Sequence, residues 1–219
     1  MTSSYQRFIE YWDNVFSKAS KSISDHVSLD NVDLENALRW LCEGSRSVID
    51  FGCGRGSMLF FCAQNGTQKH LGIDLSAEAI MLSQCRAETV QQGSFSFRQG
   101  GVATLSGIPG ASFDAMILSN IVDNLYPDDA KLLLFECARI IKPGGKLFVK
   151  LNPFLTQEQI REWNIKTISG NLLDDGLLLW NNTTEQWRSF FEKSFSIVHE
   201  GTIYYPEHEQ TNRMFYLVH

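Results

Sequence analysis

Along the N-terminal stretch, apolar residues recur at three- and four-residue steps. Tyr5, Phe8, Ile9, Trp12, Val15 and Phe16 share one stripe and predict an amphipathic helix over 5–19. A polar loop follows at 20–28. Leu34, Leu38 and Leu41 then mark a second short helix that ends near Gly44. From Ser45 the period changes. Short apolar runs of strand length, at 46–51, 69–74, 94–98, 113–118 and 146–151, now alternate with helical stripes. One helix runs from Met58 toward Gly66, a second from an N-cap at Ser76 toward Gly93, and a third starts at Pro127 and reaches Ile141. Pro143-Gly144-Gly145 reads as a turn feeding the fifth strand. This alternation predicts an α/β fold, with a parallel sheet covered by helices on both faces.

Residues 152–182 break the rhythm and read as an insertion. Leu172 to Trp180 has the pattern of a hairpin around an Asp-Gly turn. Thr183 and Gln186 form a capping box ahead of a helix carrying Trp187, Phe190 and Phe191. Two last apolar runs, Phe195–His199 and Met214–Val218, read as strands. The expected organisation is a helical cover over 1–44 and an α/β domain over 45–219.

Composition narrows the function classes. The 219 residues carry 43% hydrophobic and 20% charged side chains, as a globular protein does, and no stretch has transmembrane length. A net charge of −6 without clustered Lys or Arg argues against a nucleic-acid partner. The five cysteines are scattered and never spaced C-x-x-C, so they read as reduced thiols, not a disulfide framework or a zinc site. Five histidines show no metal spacing either, so no metal is expected. With no apolar leader pattern at the start, the expectation is a cytoplasmic protein away from membranes.

The candidate chemistry lies where the first strand ends. In Val48-Ile49-Asp50-Phe51-Gly52-Cys53-Gly54-Arg55-Gly56, a buried-strand run breaks into three glycines before a helix. Backbone N–H groups can face a small ligand there with no side chain in the way. Asp50 puts a carboxylate where a purely phosphate-binding loop would avoid one. Asp74 ends the second strand, where an acid can accept hydrogen bonds from both hydroxyls of a ribose. A dinucleotide fingerprint needs a third glycine at residue 57, which is Ser.

Four segments in order, Val48–Gly56, Gly72–Ser76, Ser112–Asn120 and Arg139–Leu147, resemble the class I S-adenosylmethionine-dependent methyltransferases, in particular their small-molecule branch. The resemblance covers about residues 46–151. It implies a Rossmann-like, doubly wound, mostly parallel seven-stranded sheet with an antiparallel C-terminal strand. It implies S-adenosylmethionine as methyl donor, S-adenosylhomocysteine as product and a small-molecule acceptor. Carried over residue by residue, Asp50, Gly52 and Gly54 hold the methionine end, and Asp74 and Leu75 hold the ribose. Gly101 and Val102 flank the adenine, and Ser119 and Asn120 face the sulfonium. Two departures stand out. Gln99-Gly100-Gly101-Val102 lacks the acid that many relatives use on the adenine amine, and no His follows the fourth strand, which leaves Asp123 as the candidate base. Tyr11 and Trp12 on the first helix and Tyr126 are candidates for an acceptor pocket and lid. A nicotinamide-dependent oxidoreductase and a non-catalytic S-adenosylmethionine-binding protein remain as alternatives.

Overall fold

The computed structural model describes residues 2–20 and 27–219. Most of the expected polar loop at 20–28, with His26, therefore lies outside the described residues. Helix α1 spans Thr2–Ser17 and α2 Val32–Cys42. The core then alternates β1 (Ser47–Phe51), α3 (Ser57–Gln64), β2 (Lys69–Asp74), α4 (Ala77–Ala87), β3 (Ser94–Gln99), β4 (Phe113–Ser119), α5 (Pro127–Ile140) and β5 (Ile141–Leu151). After it come α6 (Gln157–Glu162), the short strands β6 (Lys166–Ser169), β7 (Leu172–Asp174) and β8 (Leu178–Trp180), helix α7 (Thr184–Phe191), and strands β9 (Ser196–Tyr205) and β10 (Gln210–Val218).

Seven strands form one sheet in the order β3-β2-β1-β4-β5-β10-β9. The first five are mutually parallel, and β10 is antiparallel to both β5 and β9. This is the Rossmann-like topology expected from the alternating pattern. The order reverses direction at β1, so a crevice opens beyond the carboxyl ends of β1 and β4, where ligands bind in sheets of this kind.

Period-two alternation along the central strands sorts side chains onto two faces. Ile49, Phe51, Met116, Leu118, Leu147 and Val149 point toward α5 and α7, where Leu133, Cys137, Ile140, Trp187 and Phe191 complete one cluster. Val48, Ala115, Ile117 and Phe148 point the other way, to Leu38 and Leu41 of α2 and to Leu59, Phe60 and Cys62 of α3. The caps act as expected: Ser76 Oγ accepts from the Ala79 N–H at 3.0 Å, and Thr183 and Gln186 form a reciprocal capping box.

Several elements differ from the sequence expectation, among them α6, which was not anticipated, and β10, which begins at Gln210 and not at Met214. The turn at Pro143-Gly144-Gly145 lies within β5, which begins at Ile141. Ile141 pairs with Phe113, and the register shifts before Lys146 pairs with Ala115. A Cβ on Gly145 would lie 2.7 Å from the Asp114 carbonyl oxygen, so this bulge needs glycine. Strand β9 is ten residues long, because an exposed edge strand needs no continuous apolar face and its polar interruptions read as loop. Strand β6 was not anticipated at all, since every residue of Lys166–Ser169 is exposed. It pairs with β7 of the expected β7–β8 hairpin in a separate three-stranded sheet. Among the described residues, no helix is long and apolar enough to cross a membrane.

Leu118 is fully buried in the larger cluster, whereas Phe135 on α5 is 62% exposed. Leu118→Ala should lower unfolding free energy by roughly 2–5 kcal/mol. Phe135→Ala should change it by less than about 0.5 kcal/mol. Urea denaturation of the two variants checks both, and comparable losses would contradict this packing.

Candidate functional site

The carboxyl ends of β1, β2 and β4 open onto a cavity of about 350 Å³ that α1 covers from above, within the range of small-molecule sites. Its floor is the glycine turn after β1. The N–H groups of Gly52 and Cys53 both donate to the Ile73 carbonyl, at 2.7 and 3.1 Å, which ties the turn to β2. Gly52 has φ +84°, and a Cβ there would stand 2.1 Å from Ile121 Cδ1. Gly54 has φ +49°, and its Cβ would meet Phe16 Cζ of α1 at 3.0 Å. Both the backbone conformation and the close approach therefore require glycine. Ser57, where a third glycine was sought, receives a hydrogen bond from Arg86 Nη1 at 3.1 Å, and the same nitrogen donates to the Arg55 carbonyl at 2.7 Å.

Asp74 lines the cavity at the tip of β2. Its Oδ2 accepts from the Gly54 N–H at 2.8 Å and its Oδ1 from the Ser76 N–H at 2.9 Å. Burial raises its pKa against the lowering pull of those bonds. Asp50 lies behind the turn, almost wholly buried and outside the cavity wall. Burial first, and the neighbouring Asp74 charge second, push its carboxyl up to about 8. Its Oδ1 takes no hydrogen bond among the described residues. Two carboxylates that disfavour each other's charge form a site suited to a cationic ligand.

Leu75, Gly101 and Val102 line the next stretch of wall, joined by Ser76, Gly100 and Ala103. Gln99 does not reach in, because its Nε2 donates to the Leu75 carbonyl at 3.1 Å. Ser119 and Asn120 line the far side, at the carboxyl end of β4. Asn120 adopts φ +55°, its N–H donates to the Lys150 carbonyl at 2.8 Å, and its Nδ2 donates to Asn152 Oδ1 at 2.6 Å. Asn152 also donates through Nδ2 to Asn124 Oδ1 at 3.0 Å.

Asp123 does not line the cavity. It is fully buried, and its Oδ2 accepts from the backbone N–H and Nδ2 of Asn152 at 2.7 and 3.1 Å. Burial raises its pKa to about 6 despite those bonds. Its contacts are with the polar cluster behind the wall, and only Asn120 and Asn124 of that cluster face the cavity. Of the three candidate lid residues, Trp12 lines the cavity and stacks on Phe16 at 5.7 Å. Tyr11 is about half exposed and stands outside the wall, and Tyr126 packs edge-on against Tyr5 at 5.4 Å without reaching the cavity.

Helix α1 is fixed at three points. Tyr5 OH donates to Asp129 Oδ2 at 2.6 Å, Ser76 Oγ donates to Asp13 Oδ1 at 2.5 Å, and Arg7 pairs with Asp174 at 2.7 Å. Tyr5, Phe8, Ile9, Ile121, Asp129 and Leu178 line the cavity yet were not among the expected site residues. The apolar stripe of α1 was legible, but its target was not, since these contacts join residues more than 60 positions apart.

Residues 49–149 match the family described as a methyltransferase domain. That segment, just under half of the chain, is similar to a methyltransferase domain. The matched segment runs from the middle of β1 into β5 and so contains the glycine turn, Asp74 and Asn120. Relatives of this domain include a ubiquinone biosynthesis O-methyltransferase of Paracidovorax citrulli, 32% identical over 47% of this chain and 42% of that protein. A tRNA N(3)-methylcytidine methyltransferase of Schizosaccharomyces pombe is 26% identical over 87% of this chain and 65% of its own length. The chain thus spans well under two thirds of the length of most of the curated relatives it matches. Among solved structures, the Burkholderia thailandensis 1,6-didemethyltoxoflavin-N1-methyltransferase, crystallised with 1,6-didemethyltoxoflavin and S-adenosylhomocysteine, shares the methyltransferase fold. It superposes with a TM-score of 0.71 over 99% of this chain and 88% of its own, at 15% identity.

The raised pKa of Asp50 has a consequence for stability. An acid with a native value near 8 and an ordinary unfolded value near 3.8 holds a proton in the native state that the unfolded chain has released. Stability is therefore lost as pH rises between those values. Asp50→Asn cannot titrate, so its stability relative to the parent should improve by about 1–4 kcal/mol from pH 5 to pH 8. Urea midpoints across that range test this, and a difference independent of pH would contradict it.

Proposed function

We propose that this chain transfers the methyl group of S-adenosylmethionine to a small-molecule acceptor and releases S-adenosylhomocysteine. The observation that carries the reading is the pairing of the glycine turn with Asp74 on the floor of an apolar cavity. The residues fit the donor. Gly52 and Gly54 line the cavity with backbone alone, and the buried Asp50 Oδ1 has no partner among the described residues. When bound, S-adenosylmethionine supplies a methyl group already activated by its sulfonium charge.

The work of the protein is then alignment and the exclusion of water. Asp74 accepts hydrogen bonds from the ribose hydroxyls, and Leu75, Gly101 and Val102 enclose the adenine. Gly52 and Gly54 admit the methionine end, and Asp50, buried and protonated behind the turn, gives up its proton when a cationic donor supplies the compensating charge. Ser119 and Asn120 border the reacting methyl. The first 44 residues serve as a cover, with α1 as the lid over both donor and acceptor. Trp12 contributes to that lid directly, while Tyr11 and Tyr126 brace it from outside the cavity. Asp123 acts as a positioning residue, holding Asn152 and through it Asn120. An RNA acceptor is a second reading, favoured by the tRNA methyltransferase relative that matches 87% of the chain. Against it, the cavity wall has no Lys or Arg among the described residues.

Calorimetry and thermal shift with S-adenosylhomocysteine, S-adenosylmethionine and NAD in parallel test the proposal. The two sulfur nucleosides should raise Tm by mass action and NAD should not. Asp74→Ala should weaken S-adenosylhomocysteine about 10-fold or more, because hydrogen bonds to a charged group are worth roughly 1.5–3 kcal/mol. Stabilisation by NAD alone, or an Asp74→Ala variant of unchanged affinity, would refute it.

A further inference from the structure

Tyr5, Phe8 and Leu178 pack in one cluster and line the cavity together with the polar side chains of Asn124 and Asp129. Among the described residues, the whole cavity wall contains no Lys, Arg or His, and its only charged side chains are Asp74 and Asp129. The Asn124 amide is already engaged, since its Nδ2 donates to the Leu178 carbonyl and its Oδ1 accepts from Asn152. Asp129 differs. Its Oδ2 accepts from Tyr5 OH at 2.6 Å, while Oδ1 takes no hydrogen bond among the described residues. Burial, followed by the bond to Asp129, pushes the Tyr5 phenol well above its ordinary value, so Tyr5 remains a donor to that carboxylate.

Resting on the methyl-transfer reading above, we infer that the acceptor is an amine on an apolar, ring-sized body, held through its N–H groups by the free oxygen of Asp129. An anionic acceptor meets no compensating cation in this wall and would bring its charge beside two carboxylates, which is costly in an apolar enclosure. A neutral alcohol gains only a single bond to Asp129. An amine gains a charge-assisted bond, and no fixed cation among the described wall residues opposes it. The charge balance agrees. The bound ammonium first passes a proton to Asp129 Oδ1. The freed lone pair then forms the new C–N bond while the C–S pair stays on sulfur, so the donor's positive charge moves to the acceptor nitrogen and Asp129 returns to the carboxylate by releasing its proton to solvent. A carboxylate on the acceptor side stabilises that product.

Calorimetry on the protein saturated with S-adenosylhomocysteine tests this, using three probes with one ring system: 2-naphthylmethylamine, 2-naphthylmethanol and 2-naphthoate. The amine should bind at least about 10-fold tighter than the alcohol, and the carboxylate weakest of all, as expected for a charge-assisted bond. Asp129→Asn still accepts from Tyr5 OH but lacks the charge, and it should bring the amine to the level of the alcohol. Asp129 also lies in the first turn of α5. The comparison on the unaltered protein therefore decides the matter even where the variant fails to fold. Equal affinities, a preference for the carboxylate, no binding of the amine, or an amine preference that survives in Asp129→Asn would each overturn the inference. Failure of S-adenosylhomocysteine itself to bind would instead refute the donor reading.

Discussion

The hydrogen bond from the Gly54 N–H to Asp74 Oδ2 is the constraint on which the site depends. With the two bonds from Gly52 and Cys53 to the Ile73 carbonyl, it locks the turn after β1 onto the tip of β2. β1 is buried along its whole length between β2 and β4, so the turn is held on a rigid base. A single carboxylate thus shapes the loop and stays turned toward the cavity. The cost is two buried acids: burial raises the pKa of both, and the Asp74 charge adds to the rise at Asp50. Such strain is tolerated where a ligand of opposite charge relieves it.

The roof has a different physical basis. Helix α1 rests on apolar contacts, with Phe8 against Leu172 and Leu178 and Phe16 over Gly54. Polar ties at Tyr5, Arg7 and Asp13 fix its direction. The tie at Arg7 is a surface pair and contributes little. The bonds of Tyr5 and Asp13 are better shielded, and they reach the N-terminal ends of α5 and α4. The cover is therefore attached to the same helices whose starts border the cavity, and its displacement would open donor and acceptor regions together.

Much of the sheet was legible because its strands are buried on both faces and bounded by glycine or a capping serine. Strands β1, β2 and β4 and the caps at Ser76 and Thr183 fall where the residue pattern puts them. The exposed strands β6 and β9 were missed or shortened, since nothing in an exposed strand demands alternation. In the site, residues defined by local backbone geometry were readable: Gly52, Gly54 and Asp74 all face the cavity. Residues defined by long-range approach were not. Asp129 carries no local signal beyond its place in the first turn of α5, and Asp123, the candidate base, is buried behind Asn152.

The central claim is that the tied glycine turn, Asp74 and α1 together enclose a sulfur nucleoside. The crystal structure of the protein with S-adenosylhomocysteine tests it most directly. The account predicts the ribose hydroxyls on Asp74, the adenine between Leu75 and Val102, and the methionine end over Gly52 and Gly54 beneath Trp12. A nucleoside bound elsewhere, or one in this cavity with its ribose turned away from Asp74, would contradict it.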